Sequence, residues 1–348
     1  MAKIEVTLTK GYFLKYPFLP DALKYISELG LTLEDLSYDT LGNEVIRRVK
    51  EIFDAVINSL PIPPSGDDPD IEVLSYLVAL IVLKIIGDRS LIEKFVVVLS
   101  KKYSEYINVE ENNFLLYLAT TFGWKIAYGS EGKYMMFFID YLENIPEYRG
   151  RWKLVHRQVS KGWVYLEKIE LLRLIESGLK KYMAKQISNV NISEVQLPDP
   201  VYTLVEEISM VWNRKVKEYE KVRSRYLKKG EKYYPPCIRS IIEDLKNGRN
   251  LSHSARFALA SFLLNIGMDV EEVLGIFRFS PDFREDLARY QIEHIAGLRG
   301  SKTKYVTYKC DSMRSLGLCY WECEGISHPL QYYYKAVRGM PPNVKKRI

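Results

Sequence analysis

Cysteine is missing from the first 236 residues of this 348-residue chain, and its four copies, Cys237, Cys310, Cys319 and Cys323, all fall beyond that point. A long hydrophobic run is missing too. The strongest membrane candidate, Val73 to Leu83, is closed by Lys84, well short of the roughly 18 apolar residues that a bilayer span requires, so no membrane partner is expected. The opening Met1-Ala-Lys-Ile-Glu has no basic stretch followed by an apolar one, which makes secretion unexpected and the reducing cytoplasm the expected compartment. There, a small thiol set confined to one region favours a metal or cluster site over disulfides, intracellular proteins of hyperthermophiles being the recognised exception. Self-similarity at a period of roughly 20–50 residues is absent, which argues against a solenoid. A phosphate-binding P-loop, a nucleophile elbow and a His-Glu-x-x-His zinc motif are also absent, removing those enzyme signatures.

What is present is ordinary in total and uneven in distribution. Hydrophobic residues make up 47% and charged residues 27%, a globular composition that excludes disordered and collagen-like classes. The net charge of +6 conceals a cancellation, because residues 1–210 sum to −5 and residues 211–348 to +11. A chain of this length normally makes two domains, and the charge break sets them at 1–210 and 211–348. Between Arg214 and Arg239 ten Lys or Arg stand against three Asp or Glu. Within that window Arg214, Lys215, Lys221, Arg223, Arg225, Lys228 and Lys229 are the candidate nucleic-acid contacts. Neutralising about six phosphates with such residues would make affinity fall steeply with salt; a solvated helix face is the plainer alternative.

The hydrophobic pattern predicts a mainly α protein. Ile46, Val49, Ile52, Phe53, Val56, Ile57 and Leu60 recur at helical spacing until Pro61, Pro63 and Pro64 stop them, and Val73 to Ile86 reads as a buried central helix. Ser65 to Asp70 reads as an acidic loop. Between about residues 130 and 168, aromatic and β-branched runs at Tyr134–Leu142, Lys153–Val159 and Trp163–Leu166, separated by Pro146, Gly150 and Gly162, predict a small α/β insertion. Helical periodicity returns at Leu171 to Met183, Ser188 to Pro200 has linker composition, and a long helix is expected from Val201.

The chemistry concentrates in the basic part. Pro235-Pro236 should set up a helix carrying Ile238, Ile241, Ile242 and Leu245 on one face and closing at Gly248, with Cys237 at its N-terminus, where the macrodipole and Arg239 favour a thiolate. The full thiol spacing is Cys-x72-Cys-x8-Cys-x3-Cys. Structural zinc usually takes paired Cys-x2-4-Cys knuckles, and four thiolates without histidine also satisfy a [4Fe–4S] cluster, so spacing favours cluster over zinc and leaves both open, with disulfides behind them. A second helix should start at the N-cap Ser252 and end at Gly267. His253 and Arg256 share its first turn, a poor arrangement for helix stability and a good one for gripping phosphate. The alternative is that His253 packs locally and Arg256 pairs with an acidic neighbour.

The Pro235-Pro236-Cys237-Ile238-Arg239 entry, the His253-x-x-Arg256-Phe257 helix closing at Gly267, and Cys310, Cys319 and Cys323 followed by His328-Pro329-Leu330-Gln331-Tyr332-Tyr333 together resemble the large subunit of archaeal and eukaryotic DNA primase. These motifs span about one hundred residues in fixed order; the first 200 residues resemble the family's helical N-terminal domain in architecture alone. The resemblance implies that Cys237, Cys310, Cys319 and Cys323 ligate a [4Fe–4S] cluster in a helical C-terminal domain that engages the template–primer junction. It implies that His253 and Arg256 contact the 5′ phosphates of the initiating nucleotide. Ser252 stands where eukaryotic members carry another Arg, so the triphosphate grip is expected to be either weaker than theirs or supplied by Arg239 or Arg249, and the short Cys319-x3-Cys323 interval follows the archaeal form. It further implies that residues 1–210 dock the small catalytic subunit, which uses divalent metal, and that the pair works in the replication machinery on single-stranded template, initiating NTP and RNA–DNA primer.

Tyr305, Tyr308, Tyr332, Tyr333 and Tyr334 offer rings for base stacking, against core packing or cluster shielding as the alternative. Nucleotide polymerisation needs carboxylates that hold two metal ions, and the one acidic concentration, Asp67, Asp68 and Asp70, sits in the expected loop. No catalytic centre is therefore expected in this chain. Two rival readings stay open: a self-sufficient iron–sulfur DNA repair enzyme of glycosylase type, which the long gap before Cys310 disfavours, and a zinc-stabilised nucleic-acid-binding module.

Overall fold

Asp68, Pro69 and Gly87 punctuate a long, strongly apolar helix as their chemistry dictates. In the computed structural model, Asp68 accepts the Asp70 N–H at 2.8 Å, Pro69 opens the helix, and Gly87 closes it at φ +65° with its N–H on the Leu83 carbonyl. The structure describes residues 6–346 other than 7, 38–39, 130–131, 147–149, 193–196, 227–229, 279 and 301, and the backbone alone of Gly150 and residues 219–226. It divides into two compact units, Met1–Trp212 and Asn213–Ile348, and is mainly helical.

The first unit runs through α1 (Lys10–Lys15), α2 (Pro20–Glu28), α3 (Thr40–Asn58), α4 (Pro69–Ile86), α5 (Arg89–Ile107) and α6 (Asn112–Thr121). Strands β1 (Ile126–Tyr128) and β2 (Tyr134–Phe137), α7 (Phe138–Asn144), β3 (Val159–Ser160), β4 (Trp163–Leu166) and α8 (Lys168–Asn189) complete the body, and α9 (Asp199–Tyr226) follows. Helix α4 is the centre: Val73, Val78, Ala79, Val82 and Leu83 are all fully buried, and α1, α2, α3 and α8 pack around it. No helix among the described residues is long and apolar enough to cross a membrane.

The sheet has the order β1-β2-β4-β3, antiparallel throughout. Its register pairs Tyr134 with Leu166 and Met136 with Val164, and these four side chains form the buried face. Here the structure departs from the sequence pattern. The run Tyr134–Leu142 is a strand only to Phe137 and then turns into α7, and Lys153–Val159 forms a 3-10 turn at Leu154–His156 before the short β3. Aromatic and branched residues suit either state; tertiary pairing decided between them. Arg157 fastens this segment to the first turn of α8 through two bonds to Glu170, at 2.5 and 2.6 Å. The acidic loop is also shorter than expected, because Asp68 caps α4 and Asp70 inside that helix accepts the Tyr25 hydroxyl at 2.5 Å.

The second unit is built from α10 (Pro236–Lys246), α11 (His253–Asn265), α12 (Val270–Phe277), α13 (Glu285–Ile295), α14 (Cys310–Ser315) and α15 (Pro329–Val337), with a two-stranded antiparallel sheet of β5 (Trp321–Cys323) and β6 (Val344–Lys346). Its core gathers Ile238, Ile241 and Ile242 with Leu259, Phe262 and Leu274. Gly248 and Gly267 take positive φ beyond α10 and α11, and Ser252 Oγ accepts the Ala255 N–H at 3.2 Å, as the sequence predicts.

Candidate functional site

Four thiols from three separate segments come near one another in the second unit. Cys237 occupies the first turn of α10, behind Pro236. Cys310 opens α14 with its N–H bonded to the Ser327 carbonyl at 2.9 Å. Cys319 lies in the loop after α14 and donates to the Trp321 carbonyl at 3.5 Å, and Cys323 ends β5. None is in a disulfide, and Cys237 and Cys319 are buried in the core cluster.

The thiols act on one another. Hydrogen bonding with Cys319, then burial, then the proximity of Cys319 and Cys310 push the Cys237 thiol well up, against a smaller opposing effect of the Ile238 backbone. Burial, with Cys319 and Cys323 nearby, pushes Cys310 up to about 11. Burial and Cys319 likewise raise Cys323. Arg314 works in the opposite direction at Cys310 and Cys323, and Arg239 at Cys323. Each of these three shifts, at Cys237, Cys310 and Cys323, disfavours the thiolate, because a thiolate there would be desolvated beside neighbouring sulfur. Among the described residues no group of three or more His, Cys, Asp or Glu stands arranged to hold a metal ion. The donor set is nonetheless chemically that of an all-thiolate centre: four sulfurs, no disulfide, flanking guanidinium groups, and mutual repulsion that a cationic core would relieve.

The three candidate phosphate ligands meet different fates. Arg239 is exposed, with no hydrogen bond or ion pair from its guanidinium among the described residues, and close enough to Cys323 and Tyr332 to affect both. His253 is exposed at the first position of α11. Arg256 is engaged internally, with Nε on the Leu251 carbonyl at 3.0 Å and Nη2 on Asn250 Oδ1 at 2.6 Å and Asp282 Oδ1 at 2.5 Å. Asp282 also accepts the Ser280 hydroxyl at 2.7 Å. Arg249 is paired as well, with Asp244 at 2.6 Å.

Of the basic window, Arg214 is exposed and Lys215 half-buried on α9. The side chains of Lys221, Arg223 and Arg225 and the whole of Lys228 and Lys229 lie outside the described residues. The tyrosines are largely used in packing. Tyr332 is buried, Tyr333 sits against Tyr234 and Phe262, Tyr308 lies on Phe257 at 4.9 Å, and Tyr305 stacks on His294 at 5.4 Å. Tyr334 is exposed and bonds Asn265 through its hydroxyl. His328 caps α15 by accepting the Leu330 N–H on Nδ1, which leaves Nε2 to donate to the Thr307 carbonyl at 3.0 Å. That bond and the one from Cys310 to Ser327 tie the cysteine-bearing segments to α15. Sequence reasoning missed Asp282, Arg314 and the strand β6. Arg314 had a signal, four residues after Cys310 on one helix; the other two had none.

Comparison with known proteins finds relatives along most of the chain. A sequence profile for the C-terminal domain of the large subunit of eukaryotic and archaeal DNA primase matches residues 228–324, a stretch that contains all four cysteines. The DNA primase large subunit PriL of Methanocella arvoryzae is 33% identical over 337 residues, covering 94% of this chain and 88% of its own length. The PriL of Methanococcoides burtonii is 34% identical over 340 residues, covering 92% and 91%. That of Archaeoglobus fulgidus reaches 40% over 185 residues, covering 53% and 47%.

Proposed function

This chain belongs to the family of archaeal and eukaryotic DNA primase large subunits, and from that premise we propose that it is the non-catalytic, regulatory member of a heterodimeric primase. Its first unit docks and stabilises the small catalytic subunit. Its second unit holds single-stranded template, initiating nucleotide and growing RNA–DNA primer, while the partner supplies the divalent-metal chemistry. The observation that carries this reading is the proximity of four thiols from distant segments beside an exposed Arg239 whose guanidinium has no partner among the described residues. Cys237, Cys310, Cys319 and Cys323 would hold a [4Fe–4S] cluster. When bound, it supplies four iron–thiolate bonds that cross-link three chain segments. Arg239 and His253 offer charge and hydrogen bonds to the 5′ phosphates, with Arg256 joining when its pair with Asp282 opens. The role is positional: it fixes the reacting groups in place and leaves bond making to the partner.

The test is reconstitution. The purified chain alone is expected to make no primers on single-stranded DNA and to confer template binding on the small subunit when the two are mixed, with iron and an absorbance band near ~400 nm on the same sample. Primer synthesis by this chain alone overturns the non-catalytic assignment, and stoichiometric zinc in place of iron overturns the cluster.

A further inference from the structure

The four cysteines are not anchored equally. Cys237 is built into an eleven-residue helix, and Cys310 is tied to Ser327. Cys323 ends a strand of three residues, and Gly325, two positions further on, stands at φ +65°. A strand that short has no stability of its own. Among the described residues its one strand partner is β6, near the end of the chain and beyond the residues that the family profile covers. The register sets Trp321 opposite Lys346, Glu322 opposite Lys345 and Cys323 opposite Val344. Pairing continues where the Glu324 N–H donates to the Asn343 carbonyl at 2.9 Å.

The sequence leads the chain there by simple means. Gly339 leaves α15 at φ +79°, and Pro341-Pro342 cannot continue a helix and hold the backbone extended. Directly opposed residues of an antiparallel pair share a face, and alternate residues share it too. Cys323, Val344 and Trp321 therefore lie on one face, which Trp321 packs against the core of the unit, while Glu322 and Lys345 face solvent.

We propose that β6 is a clasp for the fourth thiol: residues 343–346 hold the backbone of Cys323 in the extended form from which it joins the other three, so that completion of the thiol set waits on folding of the C-terminal tail. The proposal rests on the four-thiol reading above, and its test separates the two. Two variants of the full chain remove the clasp, a deletion of residues 343–348 and Lys345→Pro. The second works because the Glu324–Asn343 bond makes Glu322 and Lys345 the next hydrogen-bonded pair of the ladder, and proline removes a donor there. In the metal-free, reduced chain, iodoacetamide labelling followed by peptide mapping is expected to show Cys323 alkylated about tenfold faster in both variants, the scale of losing one or two net hydrogen bonds, with Cys237 unchanged. An unchanged rate at Cys323 overturns the clasp, as does equal acceleration at Cys237, which would make the tail a general support of the unit. In the iron-loaded chain the same variants are expected to lose the cluster to a chelator several-fold faster. A wild-type chain that takes up no iron defeats the cluster reading and leaves the alkylation result to decide the clasp.

Discussion

Neutralising Asp282 separates a phosphate-binding Arg256 from a purely structural one. The obvious substitution, Arg256→Ala, deletes a candidate phosphate ligand and three internal hydrogen bonds together, so either role would give a loss. Asp282→Asn keeps the side chain's shape and removes the charge that competes with phosphate for the guanidinium. The Arg256–Asp282 pair is 2.5 Å long with side chains 24% and 18% exposed. A pair so placed lies between an exposed ion pair, about 0.2–1 kcal/mol, and a hydrogen bond to a charged group, about 1.5–3 kcal/mol. Taking about 1 kcal/mol as the competition removed, binding of a 5′-triphosphate initiating nucleotide should tighten about fivefold. Asp286→Asn is the control, because Asp286 is largely exposed and pairs only loosely with Arg284 at 3.5 Å, and its loss changes net charge equally. Equilibrium binding of 5′-triphosphate and 5′-hydroxyl oligonucleotides to both variants at two salt concentrations supplies the measurement. Tightening confined to the triphosphate in Asp282→Asn supports the phosphate role. Equal shifts in the two variants, or weaker binding in Asp282→Asn, refute it.

Two further outcomes test the first unit. Glu72 is buried between Arg48, with bonds of 2.9 and 3.3 Å, and the largely covered Lys102 at 3.3 Å, so Glu72→Ala leaves Lys102 without that carboxylate and Arg48 with only Glu51 and the Pro63 carbonyl, and should cost about 3 kcal/mol, whereas Arg48→Met leaves the Glu72–Lys102 pair and should cost about half that. Burial pushes the Glu72 carboxyl up, but the Arg48 hydrogen bond and the Lys102 charge more than offset it, leaving it below its ordinary value. Its contribution is therefore complete above the ordinary carboxylate range near pH ~4.5 and lost as pH falls below it. Urea titrations followed by the fluorescence of Trp124, Trp152, Trp163 and Trp212 would read both effects, and a larger cost for Arg48→Met would contradict the charge argument. Gly178→Ala should also destabilise this unit despite a helix-propensity gain of about 1 kcal/mol, because a Cβ there would meet Trp124 at 2.2 Å and overpacking costs about 1–3 kcal/mol or more; a raised midpoint in the same titration would show that α8 can shift.

The sequence alone determined what short-range chemistry writes down. Caps and breakers such as Asp68, Pro69 and Gly87, or Ser252 and Gly267, act over one or two turns, so α4 and α11 were legible, as was the grouping of chemistry in the basic part. The small sheet was legible in place but not in extent, because Phe138-Ile139-Asp140-Tyr141 suits strand or helix until neighbours choose. Other features were decided only in three dimensions. Arg256 pairs with a carboxylate 26 residues away, and the tail Val344-Lys345-Lys346 becomes a strand because Trp321–Cys323 presents an unpaired edge. Contacts between segments far apart in the chain depend on where folding brings them, and no local propensity records that. Cys323 thus had its identity as a candidate ligand fixed by sequence, and the strand that holds it fixed by the fold.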